Sequence, residues 1–391
     1  MLKKKVFVLG LVLFLGCALM VTSCAKKEEA KEPYKIGCIF ASTGPASWLG
    51  EPERRTAVWV EERVNAAGGI NGHPLKLLIE DSKGDPTTAV LAAKKLLKEG
   101  VSAIVGPSRS GSSMAVVPVM TEAEQILVSC AAAEAIVHNP KTDKERKWIF
   151  KTPQKDSHVV QKILGHMKKK GISEIAIITG TTGFGAQGRK QLKKFAPQFG
   201  IKIVADETYG PKDTDMTAQL TKIKGTKAQA IVNWSIVPAQ TTVMKNRVQL
   251  RITMPIYQSH GFGNAKYAAA AGKAAEGVIF PCGRVLVAEA LPDDQPQKKL
   301  LMEYKTAYET QHKENVSTFG GHALDAVNLV VAALKDAGPD KDKMRSYIEN
   351  TKGFVGTGGI FNFSPTDHTG LGLDSLEMLT VRDGKFDIYE K

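Results

Sequence analysis

Short apolar runs and amphipathic stretches alternate along most of this chain. Lys35–Phe40 is an apolar run closed by the turn Thr43-Gly44-Pro45. In Glu51–Asn65 the apolar positions Ala57, Val60 and Val64 recur at a spacing that suits one face of a helix. The glycines of Gly68-Gly69-Ile70-Asn71-Gly72 end that helix, because they tolerate left-handed dihedrals. Leu75–Ile79 reads as the next strand, and Asp85-Pro86 opens another helix with proline in its first turn. Ala103–Val105, Ile126–Val128, Ile175–Ile178, Ile201–Val204, Ala230–Val232, Pro255–Tyr257 and Val278–Phe280 continue the strand series, with helical segments between most of them. Helices are expected near 296–312, 321–338 and 341–351. Leu376–Phe386 closes the chain as a hairpin turning at Arg382-Asp383-Gly384.

Apolar strands alternating with helices imply the α/β class, with parallel sheets covered on both faces. About ten such strands exceed one doubly wound domain, and a chain of this length is too long for one small core. Two lobes follow, each a parallel sheet flanked by helices. The charged stretch His138–Lys147 breaks the composition, and a new strand–helix series begins after Lys151-Thr152-Pro153; the first crossing between lobes is read there. The expected division is 34–152 plus 284–352 for lobe 1, and 153–283 plus 353–391 for lobe 2. Two such lobes create a cleft at the carboxyl ends of both sheets, where open α/β folds bind ligands.

The N-terminus changes the picture of where this happens. Lys3, Lys4 and Lys5 precede the apolar run Val6–Met20, which is short for a membrane span and placed as a signal h-region. Val21-Thr22-Ser23-Cys24 resembles the bacterial lipobox, so residues 1–23 are expected to be a signal peptide and Cys24 the lipidated first residue. The plainer reading is an ordinary signal peptide with a chance cysteine, and Gly16-Cys17 is a weaker lipidation candidate. Residues 24–33 are charged and lack bulky apolar side chains, as a flexible tether would. The expected location is the extracytoplasmic side of the cell envelope.

Net charge is +13, of which the three signal lysines supply part. The remaining lysines are spread over helices without an aromatic–basic motif, which argues for a solvated face and against a nucleic-acid partner. Cys38, Cys130 and Cys282 are far apart, sit in apolar contexts and read as buried free thiols; neither they nor the histidines show metal-ligand spacing. No metal or cofactor is expected. Gly183-Phe184-Gly185-Ala186-Gln187-Gly188 matches the dinucleotide pattern GxGxxG, but Gly180-Thr181-Thr182 separates it from the strand end where the tight turn should fall. It is read as a Gly-rich loop bringing backbone close to the cleft. Gly106-Pro107-Ser108-Arg109-Ser110-Gly111 almost imitates a nucleophile elbow, yet Ser110 stands where glycine is required and no triad can be assigned. A hydroxyl-rich helix N-terminus that accepts a carboxylate fits better. Arg109 either adds a bidentate contact there or is a surface arginine.

With these residues in place, the chain from about Tyr34 resembles the Leu/Ile/Val-binding proteins, the type I periplasmic solute-binding proteins of branched-chain amino acid ABC importers. The stretches carrying the resemblance are Thr43-Gly44-Pro45, Asn65 through Gly72, Asp81 with Asp85-Pro86, Ile104-Val105-Gly106 through Ser129, and Ala275-Glu276-Gly277. It implies a two-lobed, hinge-closing binding protein with three crossovers, not an enzyme, whose partners are a small-molecule ligand and an importer's permease and ATPase subunits. It places Ser110 where a serine holds the ligand carboxylate and Ala131 where a backbone group serves. Ala133, with Ala132 before it, replaces a threonine at the head group. Leu49 stands at an aromatic pocket position beside Trp48. Phe184 and Phe319 match pocket aromatics, and Ile236 replaces another, with Trp234 two residues earlier. Arg109 and Gly84 stand where the family often has a disulfide. His260 replaces the glutamate that pairs with the ligand ammonium.

That last departure matters because a buried ammonium without a negative partner costs several kcal/mol. Neutral histidine still accepts a hydrogen bond, so an amino acid remains possible beside an apolar or aromatic carboxylate lacking the ammonium. A sensory binding protein reporting to a membrane receptor would share this fold and pocket.

Overall fold

In the computed structural model, which describes residues 31–390, the strands are the apolar runs and the helices are the amphipathic stretches. The signal-peptide expectation, Cys24 and most of the tether fall outside the described residues. From Pro33 onward the chain is one compact unit.

The first lobe begins with β1 (Tyr34–Phe40), α1 (Ser47–Ala66), β2 (Leu75–Asp81), α2 (Pro86–Lys98), β3 (Ala103–Val105), α3 (Ser110–Glu122) and β4 (Leu127–Ser129). Asp85 caps α2, its side chain accepting the Thr88 N–H at 2.8 Å, as a residue before a first-turn proline is placed to do. The charged stretch folds as a two-stranded hairpin, β5 (His138–Asn139) and β6 (Lys144–Glu145), after which β7 (Ile149–Lys151) completes a five-stranded parallel sheet in the order β2-β1-β3-β4-β7.

The chain then enters the second lobe with α4 (Asp156–Lys169), β8 (Glu174–Gly180), α5 (Gly183–Phe195), β9 (Lys202–Tyr209), α6 (Thr217–Lys224), β10 (Ala230–Trp234), α7 (Gln240–Gln249), β11 (Ile256–Gln258), α8 (Ala265–Ala271) and β12 (Ile279–Cys282). Every residue of β10 is buried, as expected of a strand covered on both faces. It returns to the first lobe for α9 (Lys298–His312), α10 (Thr318–Ala337), α11 (Lys341–Asn350) and the small pair β13 (Phe354–Val355) and β14 (Ile360–Phe361). β15 (Glu377–Arg382) and β16 (Lys385–Ile388) finally join the second sheet, ordered β16-β15-β12-β11-β10-β8-β9. Here the structure departs from a purely parallel sheet: β15 runs antiparallel to β12, and the hairpin's tight turn uses the left-handed dihedrals of Asp383 and Gly384.

Two hydrophobic cores, one per lobe, mark three passages of the chain between them. The third passage lies later than the expected boundary at 353. Phe361, Phe363 and Leu371 all pack into the first core, and only from Leu376 does the chain contribute to the second. Burying two phenylalanines and a leucine, at about 1.5–3 kcal/mol each, fixes 353–371 to lobe 1.

Candidate functional site

Between the lobes lies a small cavity, lined by Leu49, Ser108, Ser110, Cys130, Ala131, Ala132, Pro153, Phe184, Ile236, His260, Gly261, Phe319 and His322. Its position follows from topology. Ser108 and Ser110 follow β3, the Cys130–Ala132 run follows β4, and Pro153 follows β7. Phe184 follows β8, Ile236 follows β10, and His260 and Gly261 follow β11. Each therefore sits at the carboxyl end of a strand, where two parallel sheets open toward each other.

The first-lobe wall presents a hydroxyl at a helix N-terminus. Ser110 opens α3, and Arg109 at the N-cap makes no side-chain capping bond, so first-turn N–H groups face this end. The Ser110 hydroxyl accepts the Ala133 N–H at 3.3 Å and retains its own O–H to donate. Behind it, Ser108 accepts the Ala41 N–H at 2.9 Å and donates to Glu53. Glu53 is wholly buried, and burial pushes its carboxyl well above the usual carboxylate range.

The second-lobe wall is aromatic. Phe184 and Trp234 lie 5.6 Å apart between ring centroids, and His260 packs edge-on against both, at 5.4 and 5.9 Å. Neither His260 nitrogen has a hydrogen-bond partner, and neither has the Nδ1 of His322. Burial holds both imidazoles neutral, His260 well below its ordinary range and His322 down to about 3. Gly261 is obligatory beside them: a Cβ there would lie 2.4 Å from Ile236 Cγ2 and 2.5 Å from the Ser235 carbonyl.

The cleft is closed. Gln191 donates to Glu134 at 3.1 Å, and Asn264 donates to the Trp48 carbonyl at 2.9 Å, each bond joining one lobe to the other. The glycines of the GxGxxG match serve this packing. Gly183 meets Gly111 of the opposite lobe, Gly185 lies on the Gly180 carbonyl, and Gly188 lies on the Trp234 ring. The described residues include no group of three His, Cys, Asp or Glu side chains able to hold a metal ion.

Of the residues expected from sequence, Leu49, Ser110, Ala131, Ala132, Phe184, Ile236, His260 and Phe319 share the cavity wall. Four do not. Trp48 turns to Tyr267, 5.1 Å between centroids. Ala133 is wholly buried behind Ser110, and Trp234 behind Phe184 and His260. Arg109, read as either a bidentate ligand contact or a surface arginine, lies outside the cavity wall, and its guanidinium donates to the Gly84 carbonyl at 2.9 Å. The two positions that resemble a disulfide pair are thus tied by a hydrogen bond instead. Ser108 lines the cavity as part of the hydroxyl-rich turn, and Cys130, Pro153, Gly261 and His322 line it without having been singled out as site residues. His322 had a signal, since it stands one turn beyond Phe319 on α10 and shares its face.

A family model described as periplasmic binding protein matches residues 33–384. The chain is 25% identical over 367 residues to a leucine-, isoleucine-, valine-, threonine- and alanine-binding protein of Pseudomonas aeruginosa, covering 90% of this chain and 94% of that one. Among solved structures it resembles an extracellular ligand-binding receptor from Rhodopseudomonas palustris HaA2, with TM-score 0.84, 27% identity, and coverage of 92% and 100%. A branched-chain amino acid transporter substrate-binding protein from Streptococcus pneumoniae, in complex with isoleucine, gives TM-score 0.78 at 27% identity, covering 91% and 98%.

Proposed function

Because the chain belongs to the periplasmic binding protein family, whose members bind ligands and are not enzymes, we propose that it is the exported, Cys24-anchored receptor of an ABC importer, capturing an apolar or aromatic carboxylate. The importer reading is supported by the transporter to which the pneumococcal relative belongs. Lipid anchoring rests on the lipobox resemblance, and no described helix is long and apolar enough to cross a membrane.

The composition of the cavity wall carries the ligand reading. Carbon-rich side chains dominate, the polar groups are two serines and two neutral histidines, and no Asp or Glu lines it. The ligand carboxylate docks at Ser110 and the first-turn N–H groups of α3. Its apolar body lies between Leu49, Phe184, Ile236 and Phe319, and the second lobe closes over it with His260. Closure is driven by contacts that exist only in the closed form.

An amino acid is the second reading, favoured by the relatives named for branched-chain amino acids. Calorimetric titration with benzoate, phenylacetate and leucine separates the two. Micromolar or tighter binding of an acid with weak leucine binding is expected; tight leucine binding with no response to the acids would reverse the assignment.

A further inference from the structure

Two imidazoles in the cavity wall come from opposite lobes and keep ring nitrogens without partners. His260 follows β11 in the second lobe, and His322 is carried by α10, whose next residues pack into the first core. They are 5% and 4% exposed, and neither nitrogen of His260 nor Nδ1 of His322 has a hydrogen-bond partner. Backbone bonds set their places without using those nitrogens. The Ser259 hydroxyl accepts the Gly261 N–H at 3.2 Å and the His260 carbonyl accepts the Gly263 N–H at 3.1 Å, which fixes the short turn carrying His260. Thr152 donates to the His322 carbonyl at 2.8 Å.

The polar groups nearby are committed elsewhere. No Asp or Glu lines the cavity. Asp325, three residues beyond His322 on α10, accepts the Thr357 N–H at 2.6 Å, the Thr357 hydroxyl at 3.0 Å and the Gly358 N–H at 2.8 Å. Ser108 bonds to Ala41 and Glu53. Buried polar groups left unpaired are costly, so the imidazoles call for a partner on the ligand.

The chemistry of that partner follows from theirs. A neutral imidazole has one N–H and one lone pair. Two of them facing one cavity ask for a group that both accepts and donates. An alcohol does both through one oxygen, whereas a carbonyl only accepts and an ammonium only donates. The cavity is small and also contains Ser110, so this group stands within a few bonds of the carboxylate. We propose that the ligand is a 2-hydroxy acid, whose hydroxyl accepts the N–H of one of His260 and His322 and donates to the lone pair of the other across the cleft. This rests on the carboxylate reading above and specifies the acid. The hydroxyl can join the two imidazoles only when the lobes are shut, so it adds to the contacts that drive closure. Burial holds both rings neutral, which leaves one donor and one acceptor on each.

The test is calorimetric titration of the wild-type protein with phenylacetate, both enantiomers of mandelate, phenylglyoxylate and phenylglycine, which share one skeleton and differ at carbon 2. The pair 4-methylpentanoate and 2-hydroxy-4-methylpentanoate repeats the comparison on an aliphatic skeleton. On at least one skeleton, the better enantiomer of the hydroxy acid should bind about tenfold or more tighter than the acid lacking the hydroxyl, and tighter than the oxo or amino acid. His260→Leu and His322→Leu should each reduce that ratio severalfold, and His260→Gln, which keeps a donor and an acceptor, should retain part of it. Hydroxy and plain acids binding alike in the wild type overturn the proposal, as does a ratio unchanged in both folded leucine variants. Tighter binding of phenylglyoxylate than of mandelate overturns the hydroxyl in favour of a carbonyl. If the leucine variants fail to fold, the wild-type ratios and His260→Gln decide. Tight binding of phenylglycine or leucine with no response to any of the acids rejects the carboxylate reading itself, whereas acids that bind without regard to the hydroxyl reject this proposal alone.

Discussion

Two glycines meet where the cleft shuts, and substituting one of them should weaken ligand binding without touching the ligand. A Cβ on Gly183, the first residue of α5, would lie 2.8 Å from Gly111 Cα, 2.9 Å from Gly111 N and 3.3 Å from Met114 Cε. Carbon atoms in contact rest about 3.5–4.0 Å apart, so the two helix ends must separate by roughly 0.7–1 Å at this point. Gly183 has no positive φ, and alanine is the better helix former, so neither lobe suffers alone. The overlap burdens only the closed form, and overpacking of this kind costs about 1–3 kcal/mol. Since affinity includes the closing equilibrium, Gly183→Ala should bind ligand about 5- to 150-fold more weakly. The control is Gly111→Ala, whose Cβ meets nothing nearer than the Gly183 backbone at 3.9 Å. It should bind within about twofold of wild type. Calorimetric titration measures both affinities, and melting without ligand should be unchanged in both. Wild-type affinity in Gly183→Ala, or equal effects from the two alanines, would refute a closed form that brings these helix ends together.

Ser110→Ala should weaken carboxylate binding by about 1–3 kcal/mol if its hydroxyl bonds the ligand; unchanged affinity in a titration removes Ser110 from the site. Arg109→Met frees the Gly84 carbonyl and should cost about 1–2 kcal/mol in denaturant unfolding, while leaving ligand affinity unchanged, because Arg109 is not in the cavity wall. His322 is held neutral down to about pH 3 against an ordinary value of 6.5. Its contribution is therefore intact above about pH 6.5 and lost as pH falls toward 3, at up to about 1.4 kcal/mol per pH unit. His322→Gln should flatten that part of the stability–pH curve, and a slope identical to wild type between about pH 4 and 6 would show that the imidazole is not buried as described.

The fold was largely legible because both sheets are buried on two faces, which writes strands as short apolar runs and leaves turn residues between them. Asp85-Pro86 and Asp383-Gly384 announced a helix start and a hairpin from their dihedral preferences alone. What did not read was lateral placement. Phe361 and Phe363 carry no mark saying which of two apolar cores they enter, so the last crossing was set too early. The same limit applied to the site. Trp234 and Ile236 are close in sequence, but only packing shows that Ile236 reaches the cavity while the indole stands behind Phe184 and His260. His322 hid in a helix buried on nearly every side, where a histidine reads as one more core position.

These misread residues bear most on ligand choice. A zwitterionic amino acid brings a carboxylate that Ser110 and the α3 N-terminus can take, and an ammonium with three donors to satisfy. A neutral His260 supplies at most one lone pair for it. Each donor left unpaired in a buried site costs about 1–3 kcal/mol. Glu53, behind the first-lobe wall, has its carboxyl pushed well above the usual carboxylate range by burial and already accepts from Ser108. The same wall therefore taxes the ammonium through its neutral imidazoles, whereas an acid lacking that group meets mostly apolar surface beyond its carboxylate.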